Sequence, residues 1–206
     1  MTTSEAELLA AARNPTAAWL ESCFGPGTLW RPEPGALPER LTARGARAFL
    51  SEVGVPAVEL DFVGFDATGL PGRGMWEADL DELFGERTPG DDTPPGNRGF
   101  CVGTFHERHL MVSGDTGAVR IYHPDGWDHG EGYGGRAADS LPALVGALAL
   151  LARSEERIRE GDAKAALDGF EALVRELGQG PEESELWAGL VEDLRDEYES
   201  EGEGED

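Results

Sequence analysis

The residues of this chain with the most chemical potential are its four histidines, which all lie between Phe100 and Gly135. His106 and His109 belong to the sequence His-Glu-Arg-His. A zinc protease instead places two histidines four apart on one helix, with a glutamate between them as the base. His123 and His129 flank a turn and have no cysteine at a ligand spacing. The pattern predicts turn or surface histidines and no metal site, with a metal-dependent hydrolase as the less favoured alternative.

Other catalytic patterns are equally weak. The glycine run from Gly130 to Gly135 lacks the preceding strand and following helix that turn such a run into a phosphate cradle. Ser113 is followed by Gly-Asp-Thr-Gly, a hairpin sequence and not a nucleophile elbow. Cys23 and Cys101 share no motif, so we expect reduced, buried cysteines, with a disulfide or a nucleophile as minor alternatives. The sequence therefore predicts no catalytic residue, no cofactor and no enzyme.

The amino-acid composition limits the classes of partner that the protein can bind. The chain has 206 residues, 41 acidic against 17 basic, and a formal net charge of -24. Such a surface repels phosphate backbones and anionic membranes, so direct binding to nucleic acid or to a membrane is not expected. The acidity either keeps the protein soluble or steers it to a basic partner. The acidic start and the lack of a long apolar run predict a cytoplasmic protein.

The elements in the first half are predicted from caps and periodicity. Ser4 is the expected cap of a first helix. Thr42 is the expected cap of another, which ends at Gly54 and buries one apolar face; that face consists of Ala46, Phe49, Leu50 and Val53. Alternation from Val58 to Phe65 predicts a half-buried strand. The range from Gly69 to Asn97 mixes glycine, proline and acids and is expected to be a long, partly ordered loop.

The second half predicts a meander followed by helices. Short apolar runs from Gly99 onward, with a Gly-Asp-Thr-Gly turn at Gly114, indicate antiparallel strands. Three helical stripes follow, beginning near Ser140, Asp162 and Glu182, and each is expected to cover the sheet. The fold class predicted is α+β, an antiparallel sheet packed with helices. Residues 1–198 are expected to form one domain, and 199–206 a disordered acidic tail.

The order of these elements resembles the SUKH superfamily of immunity proteins, and in particular its fourth subfamily. The motifs that carry the resemblance are a helix stop at Gly54-Val55-Pro56, a hairpin at Thr116 to Val119, and a helix entry at Ala138 to Leu141. Trp187 in the last helix completes the pattern. The resemblance extends from about Gly27 to Glu197. Departures are Asp139, where the subfamily usually has asparagine, and the acidic, glycine-rich insertion after Pro124.

The resemblance implies an α+β binding module without catalysis. Members of the superfamily are encoded in bacterial polymorphic toxin loci and neutralise a cognate toxin, often a nuclease or a nucleic-acid deaminase, inside the producing cell. The resemblance thus implies a toxin domain as partner, and a basic one would suit an acidic protein. A regulatory scaffold of the same fold that binds a cellular partner is the alternative.

Aromatic residues among acids are the candidate anchors for that partner. A rigid ring supplies buried area while neighbouring carboxylates pair with basic residues at the rim. Two segments fit this description. The first, which the glycines around it favour, contains Trp127 with Asp125, Asp128, Glu131 and Tyr133. The second contains Trp76 with Asp79, Asp81, Asp91 and Asp92. In both, the opposing interpretation is a ring that folds back over a sheet edge among merely solvated acids.

Overall fold

The protein has an α+β fold, which confirms the predicted class. The computed structural model describes residues 4–86, 96–124, 132–180 and 182–198, without the side chain of Tyr133. In these ranges a seven-stranded, wholly antiparallel sheet carries a layer of helices on one face. A small two-stranded sheet accompanies it. The predicted tail, 199–206, lies outside the described residues.

The first two helices begin at side-chain caps. Helix α1 (Glu5–Arg13) has a capping box, in which the backbone N–H of Glu7 donates to Ser4 Oγ and the N–H of Ser4 donates to the Glu7 carboxylate. Helix α2 (Ala17–Phe24) begins after Thr16, whose hydroxyl accepts from the N–H of Trp19. The predicted cap at Ser4 is confirmed.

Helix α3 (Arg44–Glu52) buries Ala46, Phe49 and Leu50, which is the face that periodicity predicts. The prediction that Thr42 caps it was wrong. The N-cap is Ala43, which offers no side-chain bond, and the Thr42 hydroxyl donates to the carbonyl of Gly114 instead. The backbone N–H of Ala43 donates to the same carbonyl. The carbonyl of Gly114 thus anchors this helix start from outside the helix.

Strand pairing also orders the loop before α3. Strand β1 (Leu29–Trp30) pairs with β2 (Val55–Pro56), which follows α3 directly, and the two form the small sheet. A 3₁₀ turn occupies Pro34–Ala36.

The continuous strand predicted from Val58 to Phe65 was wrong. Strand β3 (Glu59–Leu60) and strand β4 (Phe65–Asp66) instead pair antiparallel with each other. Between them lie a 3₁₀ turn at Asp61–Val63 and Gly64, whose φ of 62° is left-handed. The alternating pattern therefore belongs to a tight hairpin, because a glycine reverses the chain where the periodicity alone continues it.

The long loop predicted from Gly69 to Asn97 was wrong for its described part. That part contains helix α4 (Leu70–Arg73), strand β5 (Glu77–Asp79) and helix α5 (Leu80–Leu83). Strand β5 pairs with β6 (Arg98–Phe105), and Leu80 is fully buried. Pairing with a distant strand orders this segment, and a local pattern cannot show such pairing. Residues 87–95 lie outside the described residues.

The predicted meander is confirmed. Strands β6, β7 (Arg108–Ser113), β8 (Val119–Tyr122) and β9 (Tyr133–Ala138) follow one another as antiparallel neighbours. The turn before β8 is stabilised by Asp115, whose carboxylate accepts from the Ser113 hydroxyl and the Thr116 N–H. These bonds explain the Gly-Asp-Thr-Gly sequence without a ligand.

Three long helices complete the layer. Helix α6 (Leu141–Glu160) begins at Ser140, which accepts from the N–H of Ala143, and helix α7 (Ala163–Glu176) begins at Asp162, which accepts from the N–H of Ala165. Both predicted starts are confirmed. Helix α8 (Glu185–Tyr198) begins three residues later than the predicted Glu182.

The two faces of the sheet belong to different cores. Alternate strand residues such as Phe100, Val112 and Ile121 join the large core beneath the helices. Their neighbours in the chain face the other way, where Cys101 and Met111 pack with Leu80 and Phe84 in a separate small core. The segment from β5 to α5 therefore covers the second face of the sheet, whereas Leu70 of α4 joins the large core.

Candidate functional site

The candidate site is a pocket at the edge of β6, on the second face of the sheet. Strand β4 pairs with the C-terminal end of β6, at Thr104 and Phe105, while β5 pairs with its N-terminal end. The chain between β4 and β5, which contains α4, bridges the gap between the two pairings. The space that it encloses has a volume of about 380 Å³. Its lining consists of Asp66, Ala67, Gly69, Leu70, Arg73, Gly74, Trp76, Cys101, Gly103, Thr104 and His109.

A bulge in β6 shapes the wall of this pocket. The register of β6 against β7 shifts between Cys101 and Thr104. A Cβ at Gly103 would lie 3.1 Å from the carbonyl oxygen of Asp66 and 3.2 Å from Cβ of Ala67. Glycine therefore permits the close approach of the β4 segment that forms one side of the site.

Trp76 lies at the rim and is held in place. Its side chain is 42% exposed, and it is the exposed large hydrophobic residue of the described chain. Its ring meets the ring of His109 edge to face at 5.4 Å. The backbone N–H of Cys101 in turn donates to the carbonyl of Trp76. A ring fixed in this way loses little conformational entropy when a partner covers it.

Cys101 and His109 form the only reactive pair in the lining. Cys101 Sγ lies 3.8 Å from His109 Nδ1, and the His109 ring also stacks on Tyr122 at 5.7 Å. Burial raises the pKa of the Cys101 thiol and lowers the pKa of the His109 imidazole. Both shifts favour the neutral forms, whereas a cysteine nucleophile requires a thiolate beside a base or a cation. In this environment the thiol is held in its protonated form beside a neutral imidazole.

The charged groups of the pocket are Asp66 and Arg73. Oδ1 of Asp66 accepts from the hydroxyl of Thr68 at 2.7 Å and from its N–H at 2.8 Å. These bonds, with a smaller effect of the Arg73 charge, lower the pKa of Asp66, so its carboxylate is ionised at neutral pH. The Arg73 guanidinium lies over the backbone of Gly69, where a Cβ would overlap it.

The structure places three of the candidate partner residues around this pocket and α5. Trp76 is exposed and lines the pocket. Asp79 is nearly buried, and its carboxylate accepts from the N–H of Asp81 at the start of α5. Asp79 thus has a capping role that the sequence reasoning did not assign, and Asp81 is half-buried.

The structure does not place the remaining candidate partner residues at this pocket. The backbone of Tyr133 pairs with that of Tyr122 in the sheet. The others lie outside the described residues: Asp91, Asp92, Asp125, Trp127, Asp128 and Glu131. The segment around Trp127 therefore stays a prediction.

The described histidines lie at different places in the meander. His106 lies in the turn between β6 and β7 with a φ of 50°, and His109 lies in β7. His123 follows β8, and His129 lies outside the described residues. Within the described ranges, no group of three or more histidine, cysteine, aspartate or glutamate side chains is placed to hold a metal ion.

Sequence reasoning missed the roles of Asp66, Arg73 and the Cys101–His109 pair. One signal was present for the pair in Gly103, because a glycine inside a strand is typical of a bulge, and the bulge between Cys101 and Thr104 turns Cys101 to the same face as His109. No local signal shows Asp66 and Arg73, because a hairpin and a short helix bring them to the pocket.

None of the helices in the described ranges has the length and apolarity to span a membrane.

Comparison with known proteins gives one match. A family model described as SUKH-4 immunity protein matches residues 15–196. The search of curated proteins and the search of solved structures returned no significant match. The matched range begins just before α2 and ends within α8, so it contains the whole sheet and the pocket described above. Because the match covers most of the chain, the protein belongs to the SUKH-4 immunity protein family, within the SUKH superfamily.

Proposed function

We propose that the protein binds a cognate bacterial toxin inside the producing cell and neutralises it by covering its active surface. The toxin is a basic nuclease or nucleic-acid deaminase. Family membership supports a role in toxin immunity. The observation that carries the basic character of the partner is the excess of 41 acidic over 17 basic residues.

The charge explains how an inhibitor of this kind works. An enzyme that cleaves or deaminates nucleic acid attracts phosphates with a basic cleft. An acidic protein occupies the same cleft with a fast, electrostatically steered association, and it excludes the nucleic acid both sterically and electrostatically. Inhibition therefore requires complementary charge and shape, and no chemical step.

The pocket supports binding over catalysis. Its one reactive pair, Cys101 and His109, is held in the neutral state by burial. Its rim instead presents a fixed, exposed indole, and rigid aromatic rings are common anchors of protein interfaces. We propose the segments around Trp76 and Trp127 as the docking elements.

The test uses the C-terminal domain of the toxin encoded beside this protein. Co-expression of the two proteins is expected to restore growth to cells that the toxin domain alone arrests, and calorimetry is expected to show a one-to-one complex with a nanomolar Kd. An unrelated basic domain of similar charge serves as the control. Failure to protect, or equal binding of the toxin and the control domain, contradicts the proposal.

A further inference from the structure

We propose that the pocket between β4 and β5 receives an arginine or lysine side chain of the toxin, with the basic group between Trp76 and Asp66. The inference deepens the proposed function and rests on it. Neither the family match nor the predicted docking segments assign this pocket to a ligand.

The aromatic side of the proposed site is Trp76. The residue is 42% exposed at the rim, its ring packs edge to face against His109, and its backbone carbonyl accepts from the N–H of Cys101. Among aromatic side chains, tryptophan attracts a cation most strongly, and arginine stacks on it through a planar guanidinium. An incoming basic group thus meets a surface that needs no rearrangement.

The charged side is Asp66. Both hydrogen bonds from Thr68 go to Oδ1, and no hydrogen bond to Oδ2 is found among the described residues. The carboxylate is ionised at neutral pH, as described above, so Oδ2 is available to a basic group of the partner. A charge-assisted bond of this kind is shorter and stronger than a neutral one.

The rest of the lining suits the stem of a basic side chain. Leu70 and Ala67 are buried beneath the pocket and supply apolar surface for methylene groups. His109 faces the pocket in its neutral form and does not repel a cation.

Arg73 is the one cation in the lining, and it makes the inference testable. It lies close enough to Asp66 to lower the carboxyl pKa. A basic group of the partner must share Asp66 with Arg73, so Arg73 weakens the binding of a cation. It would instead strengthen the binding of an anion. Replacing Asp66 and Arg73 separately therefore has opposite effects for the two kinds of occupant.

The first experiment needs no toxin. The full chain is titrated with N-acetyl-arginine amide, and with N-acetyl-glutamate amide in parallel, while the indole N–H resonances are followed by NMR. Trp76→Phe identifies the resonance of Trp76. We expect saturable movement of that resonance with the arginine probe alone, with a Kd on the order of millimolar.

Charge variants then identify the occupant. Asp66→Asn is expected to weaken the arginine probe about tenfold or more, and Arg73→Gln to leave it equal or tighter. Asp61→Asn and Arg44→Gln make the same charge changes at exposed positions outside the pocket and should have no effect. Two results would overturn the proposal. One is that the glutamate probe binds to the wild type and not to Arg73→Gln, and the other is that the arginine probe causes no shift of the Trp76 resonance.

The second experiment uses the toxin domain. Trp76→Ala is expected to raise the Kd at least about thirtyfold and Asp66→Asn about tenfold, without a change in the melting temperature. If both variants bind like the wild type, the pocket inference fails while the proposed function stands. If the wild-type protein does not bind the toxin domain, the proposed function fails. The titration with the arginine probe then shows whether the pocket binds a basic side chain.

Discussion

At the scale of single residues, Trp187 shows how the core is specified. Its side chain is fully buried and meets the rings of Phe170 and Phe105 edge to face, at 5.8 and 6.2 Å. The indole N–H donates to Oε1 of Gln179, and Nε2 of Gln179 donates to the carbonyl of Ala143. The buried side chain of Gln179 thus satisfies the indole N–H of Trp187 and has its own amide N–H paired.

Replacing Trp187 by alanine is expected to lower the free energy of unfolding by about 3–5 kcal/mol. The cost includes the cavity and the loss of the hydrogen bond to Gln179, whose buried oxygen loses its donor. Urea denaturation measures the change. Trp187→Phe keeps a ring and is expected to lose less. An unchanged denaturation midpoint for Trp187→Ala would show that α8 does not belong to the cooperative unit.

At the residue scale, the sequence predicts burial better than it predicts the site. The helical stripes that begin near Asp162 and Glu182 predict buried faces, and Phe170 and Trp187 lie on those faces and are buried. Asp66 and Arg73 gave no such signal, because the first ends a two-residue strand and the second a one-turn helix. Their meeting depends on the pairing of β4 and β5 with the same edge of β6, which is a tertiary feature.

At the scale of elements, the contact between α1 and α6 depends on one glycine. A Cβ at Gly146 in α6 would overlap the carbonyl oxygen of Ala12 in α1. Gly169 in α7 is also within a helix, but a Cβ there would meet nothing within 4 Å. Two glycines in helical positions therefore differ only in what surrounds them.

Gly146→Ala is expected to destabilise the protein by about 1–3 kcal/mol, because α1 must move away from α6. Gly169→Ala is the matched control, and it is expected to stabilise the protein by about 0.5–1 kcal/mol through helix propensity alone. Both values come from the shift in the urea midpoint. Shifts in the same direction for the two variants would show that α1 adapts to the added methyl group without cost.

Local chemistry explains which elements could be predicted. Caps at Ser4, Ser140 and Asp162 are formed by the residues next to each helix, and the sequence shows them. The start of α3 depends on Gly114, which is far away in the chain. The prediction of a cap at Thr42 therefore failed, because the Thr42 hydroxyl bonds to Gly114 and not to the helix. The segment from α4 to α5 likewise owes its order to β6.

At the scale of the whole molecule, the charge governs association. A net charge of -24 produces a long-range field, which salt screens within about 10 Å at 0.1 M, and the proposed basic toxin is the kind of partner that this field attracts. The interior of the complex is much less affected. The salt dependence of the association rate therefore reports electrostatic steering, while the dissociation rate reports the contacts that hold the complex together.

We expect the association rate with the toxin domain to fall by about tenfold or more between 0.05 and 0.5 M NaCl, with little change in the dissociation rate. Stopped-flow fluorescence measures both rates. Charge reversal at Asp128 and Glu131 tests the segment around Trp127 in the same way, and it should slow association chiefly at low salt. An association rate that is independent of salt would exclude electrostatic steering.

The separation of the two cores has a consequence for motion. The large core joins the helices to one face of the sheet, while the small core of Leu80, Phe84, Cys101 and Met111 holds β5 and α5 on the other. A segment held by few apolar contacts opens at a lower free energy than the whole domain, as a local unfolding unit. The segment from Ala78 to Phe84 can thus open locally, while the large core, which includes Ala67 and Leu70 of the pocket lining, stays folded.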